Sequence, residues 1–151
     1  MANVRINGTV ETQESWTTSI QSDVTANDSN KSFTVPAGEE WQILWVYVSL
    51  ATTATVGNRQ LVLRIMAVDT TTVIGAVRAG LVQTASTTRK YMFAPGLTQD
   101  IAFRDTDYAS VSLMPIVATA GQQILIYDNA AVAAAADDME VHMQIASRSV
   151  V

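Results

Sequence analysis

The stretch that decides the fold of this chain is Trp41-Gln42-Ile43-Leu44-Trp45-Val46-Tyr47-Val48-Ser49-Leu50. Aromatic and β-branched residues pack well on a pleated surface, so this stretch predicts a long β-strand. Successive side chains of a strand point to opposite faces, and here both faces are apolar. One row consists of Leu44, Val46, Val48 and Leu50, and the other consists of Trp41, Ile43, Trp45 and Tyr47.

The second row, which contains the three aromatic residues, needs a cover. A strand of a β-sandwich normally buries only one face against the core. Three covers are possible: the N-terminal segment, another loop of the same chain, or a second subunit. Trp41, Ile43, Trp45 and Tyr47 are therefore candidate partner-binding residues, and closed cyclic symmetry would bury such a row in a homo-oligomer, with a trimer favoured.

Further β-rich runs lie on both sides of this strand, separated by turn residues such as Pro36-Ala37-Gly38 and Gly57-Asn58. Their spacing is typical of a sandwich or barrel. The predicted strands are 31–35, 41–50, 59–68, 72–78, 87–94, 110–117, 122–128 and 139–146. The chain is predicted to be all-β, an antiparallel sandwich of about eight strands.

Residues 1–32 differ from the rest because polar residues dominate them and apolar residues stand alone. Val4 and Ile6 alternate with polar neighbours, which is the pattern of a half-buried strand. We predict an extended N-terminal arm over 1–32 and a sandwich domain over 33–151. Val4, Ile6, Val10 and Trp16 are the arm's candidate partner-binding residues, since an extended segment can add a strand to a neighbour's sheet.

Composition and charge exclude several function classes. The 151 residues include 9 Lys plus Arg against 14 Asp plus Glu, for a net charge of −5, which disfavours nucleic acid and anionic membranes as partners. The absence of Cys and the single His exclude a disulfide framework, a thiolate nucleophile and a multi-His metal site. No apolar run is long enough to span a bilayer and no secretory signal is apparent, so we expect a soluble protein made in a cytosol.

The candidate reactive residues do not form a recognisable catalytic motif. Alternation places His142 on the polar face of its predicted strand, and no nucleophile motif accompanies it. The acidic pairs Asp105/Asp107 and Asp137/Asp138 are either solvated turn residues or ligands of a Ca²⁺ ion. Sequence alone cannot place two carboxylates at the separation that a glycosidase needs. We expect no enzyme activity and no cofactor.

Basic residues concentrate on or beside the predicted strands: Arg59, Arg64, Arg78, Arg89 and Lys90. They are either solvated positions on an outer face or groups that bind carboxylates of a partner through bidentate hydrogen bonds.

A pattern at Phe33-Thr34-Val35-Pro36-Ala37-Gly38-Glu39-Glu40-Trp41-Gln42-Ile43-Leu44 resembles one common in virion proteins of tailed bacteriophages. There a strand, a Pro-Ala-Gly turn and an apolar strand open a jelly-roll-like sandwich. Three later stretches add to the similarity: Gly57-Asn58-Arg59-Gln60-Leu61, Tyr91-Met92-Phe93-Ala94-Pro95-Gly96, and Ile126-Tyr127-Asp128-Asn129-Ala130 with Asp137-Asp138-Met139. The resemblance implies a structural protein on the capsid surface, a decoration (cement) protein bound to the major capsid protein.

A competing hypothesis from another class is a carbohydrate-binding module, or a module of a tail or fibre. Sandwiches often present aromatic rings to sugars, and the candidate rings are those of Trp16, Trp41, Trp45, Tyr91 and Tyr108. The burial of these rings separates the two hypotheses, because a covered ring cannot stack on a sugar.

Overall fold

The computed structural model describes residues 3–6, 9–12, 15–98 and 107–150, with the backbone alone described for the first two ranges. These residues form strands joined by turns and loops, without helix. The strands are β1 (Asn3–Ile6), β2 (Thr9–Thr12), β3 (Thr17–Asp23), β4 (Asn30–Thr34), β5 (Glu39–Ala51), β6 (Leu61–Met66), β7 (Val73–Arg78), β8 (Thr88–Ala94), β9 (Tyr108–Ser112), β10 (Ile116–Thr119), β11 (Gln123–Asp128) and β12 (Asp138–Ser149). The all-β prediction is confirmed.

Two larger sheets form a β-sandwich. The first has the order β3-β12-β5-β8-β9, with β10 also paired to β5, and the second has the order β4-β11-β6-β7. Neighbouring strands are antiparallel except for β8 and β9. Apolar residues of both sheets form one core, which includes Val48 and Leu50 of β5 and Leu63 of β6. Burial of this apolar surface is the main favourable term in folding.

The central strand β5 contains a β-bulge that changes which side chains face the core. Trp45 pairs with Gln144 and Ile43 pairs with Ile145, so Leu44 is the extra residue. A bulge shifts the alternation by one position. The core side of β5 is consequently Trp41 and Ile43 before the bulge and Val46, Val48 and Leu50 after it.

The single aromatic row expected from strict alternation is therefore wrong. Trp41 and Ile43 are 5% and 1% exposed and belong to the core, where the opposite sheet of the same chain covers them. Only Trp45 and Tyr47 remain on the outer side of β5, and both are half-buried. The physical reason is that side chains alternate between the two faces of a strand only while its hydrogen-bond ladder is regular, and the bulge interrupts the ladder between β5 and β12.

The N-terminal region takes part in all three sheets. β1 and β2 pair with each other as a two-stranded antiparallel sheet. β3 forms the edge of the six-stranded sheet by pairing with β12, and β4 pairs with β11. The two larger sheets therefore already include residues 17–23 and 30–34, so their limits differ from the expected division at residue 32. Hydrogen bonds to β12 and β11 stabilise these segments, which have few apolar residues to bury.

The strand predicted over 110–117 is divided in the structure. β9 ends at Ser112 and β10 begins at Ile116, with Pro115 between them. Proline has no N–H to donate to a ladder, so it interrupts a strand. The two pieces then join different neighbours, because β9 pairs with β8 whereas β10 pairs with β5.

Candidate functional site

The outer face of the six-stranded sheet, meaning the side turned away from the core, carries aromatic and polar side chains around Tyr47. Strand register places Tyr47 beside His142 of β12 and Met92 of β8. His142 in turn lies beside Ser22 of β3. The neighbours of Tyr47, Met92 and His142 along their strands belong to the core, so alternation directs these three side chains outward. Ser22 lies on the same side because its hydroxyl contacts the His142 ring. We call Ser22, Tyr47, Met92, His142 and Tyr108 the outer-face cluster.

The centre of the outer-face cluster is a stacked pair of rings with a hydroxyl at one end. The rings of Tyr47 and His142 have centroids 6.2 Å apart and an angle of 29° between their planes. The Ser22 hydroxyl oxygen lies 2.8 Å from His142 Nδ1. These contacts hold the imidazole in one orientation on the surface, with one apolar ring face and polar atoms at its edge.

The other end of the cluster is built by Lys90 and Tyr108. Lys90 Nζ donates a hydrogen bond to the Tyr108 hydroxyl oxygen at 3.1 Å, and it also lies 4.9 Å from the centroid of that ring. This hydrogen bond raises the pKa of Lys90 above its ordinary value. A shallow depression of about 190 Å³ lies between Tyr47, Met92 and Tyr108.

The predicted partner-binding residues are distributed over different parts of the structure. Trp45 and Tyr47 lie on the outer face, whereas Trp41 donates from its indole nitrogen to Glu39 within a covered environment. Trp16 is 39% exposed, and the Arg148 guanidinium lies 4.8 Å above its ring. The residues Val4, Ile6 and Val10 lie in β1 and β2, and their side chains are outside the described part of the structure.

Tyr91 is excluded as a ring for sugar binding. Its side chain is fully covered, and its hydroxyl donates to Gln83 Oε1 at 2.9 Å. Burial raises the pKa of Tyr91 to about 12. Trp41 is excluded for the same reason, so the rings left for such a role are Trp16, Trp45 and Tyr108.

The Ser22–His142 pair has two components of a hydrolytic triad, and the described side chains supply no carboxylate hydrogen-bonded to the imidazole. Catalysis by such a pair needs a carboxylate that orients the imidazole and hydrogen-bond donors for an oxyanion. Within the described ranges, the only hydrogen-bond partner of the His142 ring is the Ser22 hydroxyl. Both residues lie on an open sheet face from which water is not excluded. This geometry can bind a partner by stacking and hydrogen bonding.

The carboxylates considered for Ca²⁺ are engaged elsewhere or lie outside the description. Asp137 forms a fully buried ion pair with Arg59, in which Nε of the guanidinium is 2.8 Å from Oδ2. Asp138 Oδ1 accepts the backbone N–H of Asn27. Asp105 lies outside the described residues, whereas Asp107 lies within them. The described part of the chain contains no cluster of three His, Cys, Asp or Glu suited to a metal.

Arg59 is neither solvated nor available to a partner, contrary to both interpretations of the basic residues. Its guanidinium is fully buried and donates to Asp137 and to the carbonyl oxygens of Thr55 and Gly57. Thr53 completes the network by donating its N–H and its hydroxyl to Asp137. Sequence reasoning missed this pair because Arg59 and Asp137 lie far apart along the chain.

Sequence reasoning also missed Ser22 and Met92 as members of the outer-face cluster. The signal for Met92 is its place between Tyr91 and Phe93, since alternation with two core residues turns it outward. Ser22 offers no comparable signal, because its neighbours Gln21 and Asp23 are also polar and its position depends on pairing with β12.

Comparisons with known proteins leave the chain without an assigned family: no family model, no curated protein and no solved structure matches it. A search of the described residues for a helix with the length and hydropathy of a membrane span finds none.

Proposed function

We propose that this protein is a structural protein of a bacteriophage virion, a decoration protein that binds the major capsid protein on the assembled head and stabilises it. The resemblance of Phe33–Leu44 and the later turn segments to phage virion proteins supports this role. The acidic charge and the absence of a complete catalytic group in the described residues are consistent with a protein that acts by binding alone.

The strand order supports a jelly roll as the finer description of the sandwich. A jelly roll combines two Greek keys, so strands early and late in the chain alternate within each sheet. Here β3 lies beside β12 and β5 beside β8 in one sheet, while β4 lies beside β11 and β6 beside β7 in the other. Jelly rolls occur in viral capsid proteins and in lectins, so the fold alone does not choose between the two candidate functions.

The outer-face cluster is the observation that carries the proposal. Tyr108 is 49% exposed, Met92 is 37% exposed, and Ile20 on the neighbouring edge strand is 50% exposed. Tyrosine and methionine are enriched in protein interfaces because they combine large apolar area with adaptable contacts. A sheet face of this kind suits contact with another protein surface.

The experiment compares particles with and without the protein. A protein that binds only the assembled shell stabilises it by RT ln(1 + [L]/Kd), about 2.7 kcal/mol per site at a hundredfold excess over Kd. Particles lacking the protein should assemble and rupture at a lower temperature, and adding the pure protein back should restore the rupture temperature without metal or nucleotide.

A matched pair of variants tests the docking face. Met92→Asp places a charge in the centre of the outer-face cluster and should abolish the added thermal protection. Val56→Asp places the same charge at a residue that is 92% exposed in a loop, and should protect as well as the wild type does. Equal rupture of bare and decorated particles, or hydrolysis of a glycan by the pure protein, would refute the proposal.

A carbohydrate-binding module is the second candidate, favoured by the Tyr47–His142 stack and the exposed Tyr108 ring beside Lys90. Titration of the protein with host-surface glycans, monitored by NMR chemical shifts, distinguishes the two candidate functions. Saturable chemical-shift changes that are lost in Tyr108→Ala would favour the carbohydrate role if the wild-type protein also leaves the rupture temperature of particles unchanged. Absence of shifts would leave the virion role as the better proposal.

The proposed homo-oligomer needs a surface other than the expected aromatic row, because two of the four residues in that row are buried within one chain. The edge strand β7 and the adjoining groove toward β10 provide such a surface.

A further inference from the structure

An apolar groove opens on one side of the sandwich between β7 of the four-stranded sheet and β10 of the six-stranded sheet. Its volume is about 460 Å³. The floor reaches core residues, and the rim is exposed: Ile74 is 56% exposed, Met114 is 75% exposed and Val117 is 53% exposed. The lining also includes Leu63, Ile65, Gly75, Val77 and Ile116.

The groove runs beside a free sheet edge. β7 is the last strand in the order β4-β11-β6-β7, and no other described strand pairs with its outer side. Proteins usually protect such edges with lysine, proline or inward-facing charge. The sequence of β7 is Val-Ile-Gly-Ala-Val-Arg, with Arg78 as its only charged residue. The edge is therefore suited to pairing with an added strand.

Gly75 is a second, independent feature that favours the approach of another chain here. Its φ is outside the left-handed region, so the backbone does not require glycine. It pairs with Ile65, a core residue, which places it on the inner side of the sheet. A Cβ atom at Gly75 would meet nothing within 4 Å. Glycine weakens a strand interior and often marks a place where another backbone comes close.

The chain itself contains a segment that needs such a site. β1 and β2 are four-residue strands that pair with each other and with no described strand of the larger sheets. An isolated two-stranded hairpin is marginally stable in water, and a third strand or a packed face is needed to stabilise it. The alternation of Val4 and Ile6 provides apolar residues at every second position of β1.

The length of the connection favours a second copy over the same chain. Trp16 is held against Arg148 of β12, and the four residue steps from Thr12 to Trp16 span at most about 14 Å. β7 lies in the opposite sheet, about 10 Å away, and two to three strand spacings of about 4.8 Å to the side. A path over the surface has to cover both offsets, about 20 to 24 Å, which exceeds the reach of the connection.

We propose that the β1–β2 hairpin of one copy docks on the β7 edge and the adjoining groove of a second copy, so that a closed homo-oligomer forms in which every copy donates one hairpin and accepts one. The hairpin gains backbone hydrogen bonds to β7, and its apolar residues enter the groove over Gly75. This inference is independent of the proposed virion function.

Cross-linking tests which chain occupies the groove. The chain has no Cys, so Ile6→Cys and Ile74→Cys each introduce a unique thiol. Mixing the two single variants with a short bismaleimide should yield a cross-linked dimer on a denaturing gel. Cross-linking of the double variant only within one chain would overturn the proposal, since the hairpin would then occupy its own groove.

The oligomeric state is measured by sedimentation of the full chain. Gly75→Leu fills the groove with a side chain that the single subunit can accommodate, and should weaken association at least about tenfold. Ser32→Leu on the exposed face of β4, in the same sheet, is the control and should associate like the wild type.

A second variant keeps the test valid if Gly75→Leu does not fold. Ile74→Lys adds an exposed charge to the β7 edge, where lysine blocks strand pairing, and should also give monomers. A wild-type protein that sediments as a monomer at all accessible concentrations, or an Ile74→Lys variant that associates as strongly as the wild type, would overturn the proposal.

Discussion

Arg59 and Asp137 form the residue-scale feature on which the loops at one end of the sandwich depend. The guanidinium and the carboxylate are fully buried, and each is surrounded by hydrogen-bond partners from residues 53–57. A buried pair is costly to desolvate, so removal of one partner leaves an uncompensated charge in the interior. The pair therefore makes folding depend strongly on both residues.

We expect Arg59→Ala to lower the free energy of unfolding by about 3 to 5 kcal/mol, because Asp137 would stay buried without its cation. Urea denaturation followed by circular dichroism measures the change. Glu140→Ala, at an exposed residue of β12, is the control and should change stability by no more than about 0.5 kcal/mol. Similar losses in the two variants would contradict the importance of the buried pair.

The same carboxylate predicts a pH dependence. Burial by itself would raise the pKa of Asp137, but hydrogen bonds from Arg59 and Thr53 outweigh it and lower the pKa below its usual value. A group with a depressed pKa in the folded state contributes stability above its unfolded pKa of about 3.9, and this stability is lost as pH falls through the lower folded value.

Asp137→Asn should therefore be much less stable than the wild type at pH 7, and the difference should narrow only below about pH 4. Thermal melts of both proteins between pH 7 and pH 2.5 measure this difference. A difference that narrows between pH 7 and pH 5 would show that another group governs the acid transition.

The bulge in β5 is the decisive feature at the scale of elements. It lies where the neighbour of β5 changes, because residues 46–51 pair with β8 and residues 40–43 pair with β10. One extra residue allows both halves of a long strand to direct their apolar residues into the same core. Its position explains why Trp41 and Val46, which lie an odd number of residues apart, are both buried.

Deletion of Leu44 should consequently be tolerated, because it removes the extra residue and leaves a regular alternation with Ile43 inside and Trp45 outside. We expect a loss of less than about 2 kcal/mol, measured by urea denaturation. Deletion of Val48 is the control: it would turn either Tyr47 or Ser49 toward the core, and this variant should not fold. Failure of both deletions would mean that the bulge geometry itself is required.

At the scale of the whole molecule, the limits of the folded unit differ from those suggested by composition. β3 is polar and exposed, yet it completes the edge of the six-stranded sheet along β12. The two-stranded β1–β2 sheet precedes it. The shortest segment that retains both large sheets therefore begins shortly before Thr17.

At concentrations low enough to keep the subunits dissociated, removal of residues 2–14 should change the free energy of unfolding by about 0.5 kcal/mol or less, because no strand of the two larger sheets is lost. Removal of residues 2–20 also deletes Thr17 to Ile20, which pair with β12, and should cost about 2 to 4 kcal/mol through lost ladder hydrogen bonds. Thermal denaturation of the two truncated proteins measures the contrast. Equal stability would mean that β3 contributes nothing to the sheet.

Much of the fold could be predicted because its causes are local. Aromatic and β-branched residues indicated strands, and Pro36-Ala37-Gly38 indicated a turn, where Gly38 has a φ of 77°. Even the outward position of His142 could be predicted from simple alternation along β12. The candidate site was predicted in part, since Trp45 and Tyr47 lie on the outer face whereas Trp41 and Ile43 do not.

By itself, the sequence determined the all-β class, the main strands and the lack of cysteine chemistry, because composition and period-two patterns act between neighbouring residues. The tertiary structure alone decided the bulge at Leu44, the recruitment of β3 and the burial of Arg59 against Asp137. Each of these depends on a partner distant in the chain, and local patterns do not record which strand or charge will become a neighbour.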